Sequence, residues 1–513
     1  MACVVAVDAG TTGVRSVAVD ERGRVLDVAY RELTQYFPRP GWVEHDALEI
    51  RDHVLATLAE VSERQRQAGR PVAAIGITNQ RETVVAWDRR AGLPRHRALV
   101  WQDRRTAPRC DQLRADGHEE LVRRRTGLVL DPYFSATKMG WLLVEGGVEA
   151  DDNLALGTVD AWVAWHLTGG PAGGAFVTDP SNASRTLLYD IARHDWDAEL
   201  GELFGVPLHA LPRVVPTCGT VAPVAGPLAE NGRALAGVPV CALAGDQQSA
   251  LFGQACFEPG AAKATYGTGT FVLLNVGGQV PEPREGLLTT VAWDLGGHAG
   301  GADPVYALEG AVFSTGAAIQ WLRDGLGILG QAADVGPLAA TVAHSEGVYV
   351  VPAFTGMGSP WWDPYARGAI VGLSRGLGRG HVARAVVESI AFQVRDVVDA
   401  MRLAGAPVET LRVDGGASVM DLLLQLQADQ VRLSVCRSES AEATALGAAT
   451  LAGLATGMWS SLEELSSLWR ADAVFEPKAS AVSADSAHAG WLGAVDRARA
   501  WARESAGAGG SGN

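Results

Sequence analysis

One local pattern occurs twice, about half a chain apart, and it limits the possible folds more than anything else in the sequence. Near the N-terminus the apolar run CVVAVD breaks at the small-residue turn AGTTG, resumes as VRSVAVD and, after ERGR, continues as VLDVAY. From residue 261 the design returns: AAKATY breaks at GTGT and resumes as FVLLNV. Runs rich in β-branched residues on both sides of a Gly/Thr turn read as paired strands. Two further strands end in polar loops at comparable spacing within each half, AAIGITNQRE at 73–82 and TLRVDGGAS at 410–418. Amphipathic helices lie between them. The clearest runs from His381 to Arg402, where Val386, Ile390, Val394, Val397 and Met401 recur at three- and four-residue steps. Strands alternating with helices, laid out twice, predict an α/β protein of two similarly built domains. The echo sets the domains at 1–252 and 253–500. Residues 501–513 are expected to form a disordered tail, because SAGAGGSGN has no apolar anchor.

The rest of the composition excludes whole classes of function. Lys+Arg 43 against Asp+Glu 58 gives a net charge of −15, which repels nucleic-acid backbones and anionic lipid. Neither nucleic acid nor membrane is an expected partner. Six scattered cysteines without a CxxC pair fit neither a disulfide framework nor a zinc site, and read as reduced thiols. No apolar run approaches the ~18 residues of a membrane span, and Asp8 interrupts the first run too early for a signal peptide. A cytoplasmic protein is expected. Lysine occurs only at Lys138, Lys263 and Lys478, preceded by Thr137, Ala262 and Pro477, so no Walker A loop is present. Gly507, Gly509 and Gly512 match G-x-G-x-x-G formally, but they follow no strand and open no helix.

Several strand ends carry chemistry. Asp8-Ala9-Gly10-Thr11-Thr12 combines a carboxylate able to serve Mg²⁺ through water with backbone N–H groups and hydroxyls suited to an anion, and Arg15 adds a positive charge. Gly267-Thr268-Gly269-Thr270 repeats that composition, and two such loops, one per domain, suit a polyphosphate gripped from both sides. Asp246-Gln247-Gln248 follows the strand VPVCALAG, so Asp246 reads either as a general base at a strand's C-terminal end or as a helix cap. Asn79 to Thr83 offers consecutive hydrogen-bonding side chains that suit a polyhydroxyl ligand, or else a solvated loop. Glu44-His45-Asp46 and His194 to Asp197 lack metal-ligand spacing and are expected in solvated loops, and Trp361-Trp362 is expected to pack.

In order, DAGTTGVR, YFPRPGWVEHD, ITNQRET, VWQDRRT, DPYFSATK, GTVDAW, TDPSNASRT, AGDQQSALFGQ, TYGTGTF, LEGAVFSTGAAIQWLRD, VPAFTGMGSPWWDPYARGAI and RVDGGAS strongly resemble the FGGY family of carbohydrate kinases. The resemblance covers nearly the whole chain. GWVEHD, NQRET and DPYFS are similar to the glycerol kinases within it, whereas Gly368 to Glu388 resembles the general family signature.

The resemblance implies two RNase H-like domains, as in actin and Hsp70 ATPases, flanking a deep catalytic cleft. It implies ATP-dependent phosphorylation of glycerol to sn-glycerol 3-phosphate with Mg²⁺, in a homodimer or homotetramer. By the same resemblance Thr11, Thr12, Gly13 and Arg15 would meet the phosphates and Asp8 the Mg²⁺ shell. Arg81, Glu82, Tyr133, Asp246 and Gln247 would hydrogen-bond glycerol, with Asp246 the general base, while Trp101 and Phe271 would pack on its carbons. Thr268, Gly316, Gln320 and Gly416 would line the nucleotide site. The chain departs from the family at Met420, where an asparagine is usual. Methionine can pack on a purine but donates no amide hydrogen bond. The alternatives are a family kinase for another polyol or ketose, and a non-catalytic sugar sensor on the same fold.

Overall fold

The computed structural model describes residues 2–230, 233–301 and 303–502. Each half is built on one mixed sheet. In the first lobe the strands are β1 (Cys3–Ala9), β2 (Gly13–Asp20), β3 (Val25–Glu32), β4 (Val72–Asn79), β5 (Cys218–Pro223) and β6 (Pro239–Gly245), in the order β5-β6-β4-β1-β2-β3. In the second they are β7 (Ala261–Tyr266), β8 (Thr270–Gly277), β9 (Leu288–Trp293), β10 (Val305–Val312), β11 (Thr410–Asp414), β12 (Val435–Ser438) and β13 (Ala471–Phe475), in the order β9-β10-β8-β7-β11-β12-β13.

The echo therefore extends to whole sheets. In the first lobe β1, β2 and β3 form an antiparallel meander, and β4 and then β6 join β1 in parallel. In the second, β7, β8 and β10 are antiparallel neighbours in the corresponding places, with β9 outside β10, and β11 and then β12 join β7 in parallel. Every residue of β1 is buried, as a near-continuous apolar strand in the middle of a sheet covered on both faces should be.

Helices return the chain between strands. Helix α1 (Ala47–Gln67) starts where the Asp46 carboxylate accepts the Leu48 N–H at 2.8 Å, and it lays Ile50, Val54, Leu58 and Val61 on the first sheet. Helix α2 (Asp246–Gly253) follows β6, α3 (Gly316–Asp324) follows β10, and α4 (Arg379–Leu403) covers the second sheet. All five periodic residues expected to face the core of α4 are fully buried. Each contributes about 1.5–3 kcal/mol of apolar burial. Helix α5 (Asp421–Val431) joins β11 to β12, and α6 (Ala443–Thr456) leaves β12 to lie on α2 and the first sheet.

The boundary expected at 252/253 falls at the end of α2. Residues 501 and 502, assigned to the disordered tail, are instead in helical conformation after a break at Arg499 and Ala500, and Ala502 donates its N–H to Tyr365 O at 3.0 Å. The remainder of that tail, 503–513, lies outside the described residues. No described helix is long and apolar enough to cross a membrane.

Candidate active site

The first turn follows directly from the β1–β2 pairing. Gly10 N–H donates to Gly13 O at 3.0 Å, and Gly13 enters the ladder opposite Glu32, which leaves Thr11 half-buried and Thr12 exposed at the tip. Trp101 Nε1 donates to the Thr11 hydroxyl at 2.9 Å. Asp8 is the next-to-last residue of β1, and its Oδ2 accepts Arg15 Nε at 2.8 Å. Burial raises the Asp8 carboxyl above its ordinary value, with Arg15 pulling the other way. Arg15 Nη1 also lies 2.9 Å from Glu442 Oε2, just before α6 in the second lobe. The strand that follows the first turn is thus tied to the second lobe.

Beneath this turn lies a support that sequence reasoning missed. Gln35 Nε2 donates to Thr11 O at 2.7 Å and Gln80 Nε2 to Gly10 O at 3.0 Å. His45 stands between the two amides, Nε2 at 3.0 Å from Gln35 Oε1 and Nδ1 at 3.3 Å from Gln80 Nε2. Glu44 and His45 form a short buried strand, and Asp46 caps α1, so the solvated loop expected here is replaced by packed structure. In His194 to Asp197 the expectation holds for exposed Asp195 and fails for its neighbours: half-buried His194 places Nε2 2.7 Å from the Tyr306 hydroxyl, and buried Asp197 caps the helix Ala198–Phe204. Each buried or half-buried polar group had a long-range or capping partner that local reading does not supply.

The second turn closes through Gly267 N–H to Gly269 O at 2.8 Å. Its carbonyls receive the opening N–H groups of α3: Gly316 donates to Gly267 O at 3.0 Å, and Thr315 and Ala317 to Thr268 O at 2.9 and 3.1 Å. A Cβ on Gly316 would stand 2.8 Å from Gly267 O, so this contact requires glycine. Gln320 is exposed one turn further along α3, on the same face. Gly416 is exposed beyond β11, with open space where a side chain would project. Met420 packs against the second-lobe core.

Between the turns, Asn79, Gln80, Arg81, Glu82 and Thr83 are all buried, which rules out the solvated-loop reading. Arg81 lies 3.3 Å from Asp246 Oδ1 through Nε and makes a two-point pair with Glu309. Arg185 joins Glu82 Oε1 (2.7 Å) to Glu309 Oε1 (3.0 Å). Sequence reasoning assigned neither Arg185 nor Glu309, although both lie in quoted motifs. Trp101 sits edge-on to Tyr133 at 5.6 Å and to Phe271 at 6.4 Å, and Arg81 lies 5.8 Å from the Phe271 ring. Polar groups and aromatic rings gathered side by side suit a small polyol: carbon against ring, hydroxyls against charge.

Asp246 is the first residue of α2, after Gly245, so it is not the helix cap. Its Oδ1 accepts the Gln247 N–H at 2.8 Å, and its side chain stays 27% exposed while Arg81 beside it is covered. Burial raises its carboxyl, opposed by Arg81 and assisted by the Asp8 charge. Gln247 Oε1 accepts from buried Lys263, whose Nζ also donates to Thr265 Oγ1 at 2.9 Å. Burial pulls Lys263 down to about 8. Lys263 too was unassigned from sequence.

Residues 3–253 match the family model for the FGGY family of carbohydrate kinases, N-terminal domain, and residues 262–456 match its C-terminal domain. The chain belongs to the FGGY family of carbohydrate kinases. It is 49% identical over 504 residues to the glycerol kinase of Dechloromonas aromatica, covering 97% of this chain and 98% of the relative. It is 48% identical over 506 residues to glycerol kinase 2 of Thermotoga maritima, covering 98% and 99%. Among solved structures, Plasmodium falciparum glycerol kinase with ADP matches with a TM-score of 0.89 at 32% identity, over 97% of this chain and 98% of that one. A ligand-bound xylulose kinase from Lactobacillus acidophilus shares the fold at a TM-score of 0.84 and 20% identity, over 100% and 99%. The fold is the two-domain α/β fold of actin-like and Hsp70-like ATPases.

Proposed function

We propose that this protein transfers the γ-phosphoryl group of ATP to a terminal hydroxyl of glycerol, giving sn-glycerol 3-phosphate and ADP. The observation that carries the reading is one cluster in which the Arg81–Asp246 pair stands beside the Phe271 ring and Trp101 lies edge-on to Tyr133 and Phe271, joined to the first turn by the Trp101–Thr11 hydrogen bond. Near-full-length similarity to glycerol kinases supports it.

In this reading Arg81, Glu82, Tyr133 and Gln247 orient the glycerol hydroxyls, and Trp101 and Phe271 enclose its carbons. Asp246 accepts the proton of the attacking hydroxyl as oxygen bonds to the γ-phosphorus and the bond to the β-phosphate oxygen breaks. Phosphoryl transfer asks mainly for such positioning and for charge neutralisation. Thr11, Thr12, Gly13 and Arg15 hold phosphates from one side and Thr268 from the other. Gly316, Gln320 and Gly416 line the nucleoside end.

Mg²⁺ fits the donors present. Among the described residues no cluster of three or more His, Cys, Asp or Glu side chains could hold a metal, and a buried carboxylate at Asp8 beside a phosphate turn suits an ion that keeps several waters and leans on substrate phosphates. When bound, the ion neutralises phosphate charge.

The domain division at 252/253, a homodimeric or homotetrameric assembly and a cytoplasmic location complete the reading. The cysteines support the last: all six are free, five of them buried. Sedimentation velocity tests the assembly, and a single species at monomer mass would refute it. ADP release measured with glycerol, xylulose, ribulose and erythritol tests the substrate. Glycerol is expected to turn over fastest, and a lower rate than any sugar would overturn the assignment.

A further inference from the structure

We propose that Lys138 is a positioning residue for the polyol pocket, its ammonium gathering three successive backbone carbonyls and so fixing the turn that presents Tyr133. The inference rests on the function proposed above. Lys138 is fully buried in the helix Ser135–Val144. Its Nζ donates to Pro132 O at 3.0 Å, Tyr133 O at 2.6 Å and Phe134 O at 2.9 Å. These use all three ammonium donors, and among the described residues Lys138 forms no ion pair.

This arrangement is costly in isolation. A cation is unfavourable near a helix N-terminus, where the backbone N–H groups already carry positive charge, and a buried ammonium loses its hydration, which the charges of Glu82, Asp103 and Asp131 nearby offset only in part. What offsets the cost is the carbonyl convergence: three C=O dipoles turned toward one point repel one another unless a donor of matching number stands there. Arginine cannot replace it, because a planar guanidinium does not fit three carbonyls around a compact centre. The chain otherwise uses arginine for nearly all its positive charge, with 3 lysines in all, yet two of them, Lys138 and Lys263, are fully buried.

The elements held by this clamp are those of the pocket. Tyr133 contacts Trp101 edge-on at 5.6 Å and lies 5.5 Å from the Arg185 guanidinium. Ser135 Oγ donates to Glu82 O at 3.0 Å, and Ala136 N–H to Thr186 O at 2.8 Å, next to Arg185. Displacing the turn would therefore move Tyr133 directly and loosen Glu82 and Arg185 through their backbones, while both phosphate turns stay in place.

Steady-state kinetics of full-length Lys138→Met and Lys138→Gln test this. Methionine fills the space without donors, whereas glutamine keeps two. The expected result is a glycerol KM raised roughly tenfold or more in Lys138→Met and less in Lys138→Gln, with ATP KM within about twofold of the parent and kcat within about threefold. Adding Tyr133→Phe to Lys138→Met should raise KM by less than Tyr133→Phe does alone, because the ring is already misplaced. An unchanged glycerol KM, equal weakening of both substrates, additive effects in the double variant, or loss of folded protein in both single variants would each overturn the positioning role. Failure of the functional reading would appear separately, as absence of glycerol turnover in the unsubstituted protein.

Discussion

Arg81 of the first lobe and Glu309 of the second meet as a two-point ion pair, Nη1 to Oε2 at 2.6 Å and Nη2 to Oε1 at 3.1 Å, with both side chains buried. Burial alone would raise the Glu309 carboxyl, but Arg185 and Arg81 outweigh it and hold it at about 2. The cluster around Arg81 is therefore braced by a carboxylate that reaches it from the opposite sheet.

Glu309→Gln should leave two buried guanidinia with too little negative charge. Removing one partner of a buried pair costs about 3–5 kcal/mol, so the urea midpoint should drop sharply and glycerol KM should rise. An unchanged midpoint would refute the bracing role. Arg81→Ala should raise glycerol KM while leaving ATP affinity largely intact; equal weakening of both ligands would place Arg81 elsewhere.

Asp246→Asn keeps the shape and removes the base. We expect kcat to fall by roughly 10²-fold or more, with smaller changes in either KM. Because burial raises the Asp246 carboxyl above its ordinary 3.8, the acid limb of the parent's rate profile should lie above that value and vanish in the variant. Near-normal turnover would remove Asp246 from the mechanism.

His45 should make stability depend on pH. Burial pulls the ring down to about 4 from 6.5, so on acidification the unfolded chain takes up a proton before the folded protein does. The stability due to the neutral ring is complete above 6.5 and declines as pH falls to about 4, by up to ~1.4 kcal/mol per unit. The difference in unfolding free energy between the parent and His45→Gln should shift in that sense over the same window. A difference independent of pH would rule the ring out as its source. ATP KM should also rise, since His45 stands between the two amides under the first turn.

Gly447→Ala tests the contact between α2 and α6. A Cβ there would run into Ser249 O, and one on Gly253 would run into Ala443 O, so the helices touch backbone to backbone. Overpacking of about 1–3 kcal/mol is expected, read as a lower melting temperature. An unchanged melting temperature would mean that the helices separate freely.

The turns were legible because their information is local. Asp8, Gly10 and Thr11 lie within four residues, and the strand pairing that exposes them follows from alternation and a small-residue break. Arg81 and Glu82 stood out as a polar run at a strand end. Glu309 did not, since its partner lies 228 residues away and nothing beside it marks a buried carboxylate. His45 and His194 were read as loop residues for the same reason: each gains its role from a side chain brought in by another element. Lys138 carried only a faint signal, the rarity of lysine in an arginine-rich chain.

By itself the sequence determined the α/β architecture built twice, the two Gly/Thr turns and the carboxylate at the start of α2, because strand periodicity, turn chemistry and strand-end position are properties of a few neighbouring residues. Tertiary structure alone decided which buried charges pair, that Glu309 of the second sheet reaches Arg81 of the first, that His45 stands beneath the first turn, and that Lys138 and Lys263 are buried beside Tyr133 and Gln247. Desolvation is the physical reason. A charged side chain removed from water must find its partner wherever the fold supplies one, and that distance is set by packing, with no trace in local sequence.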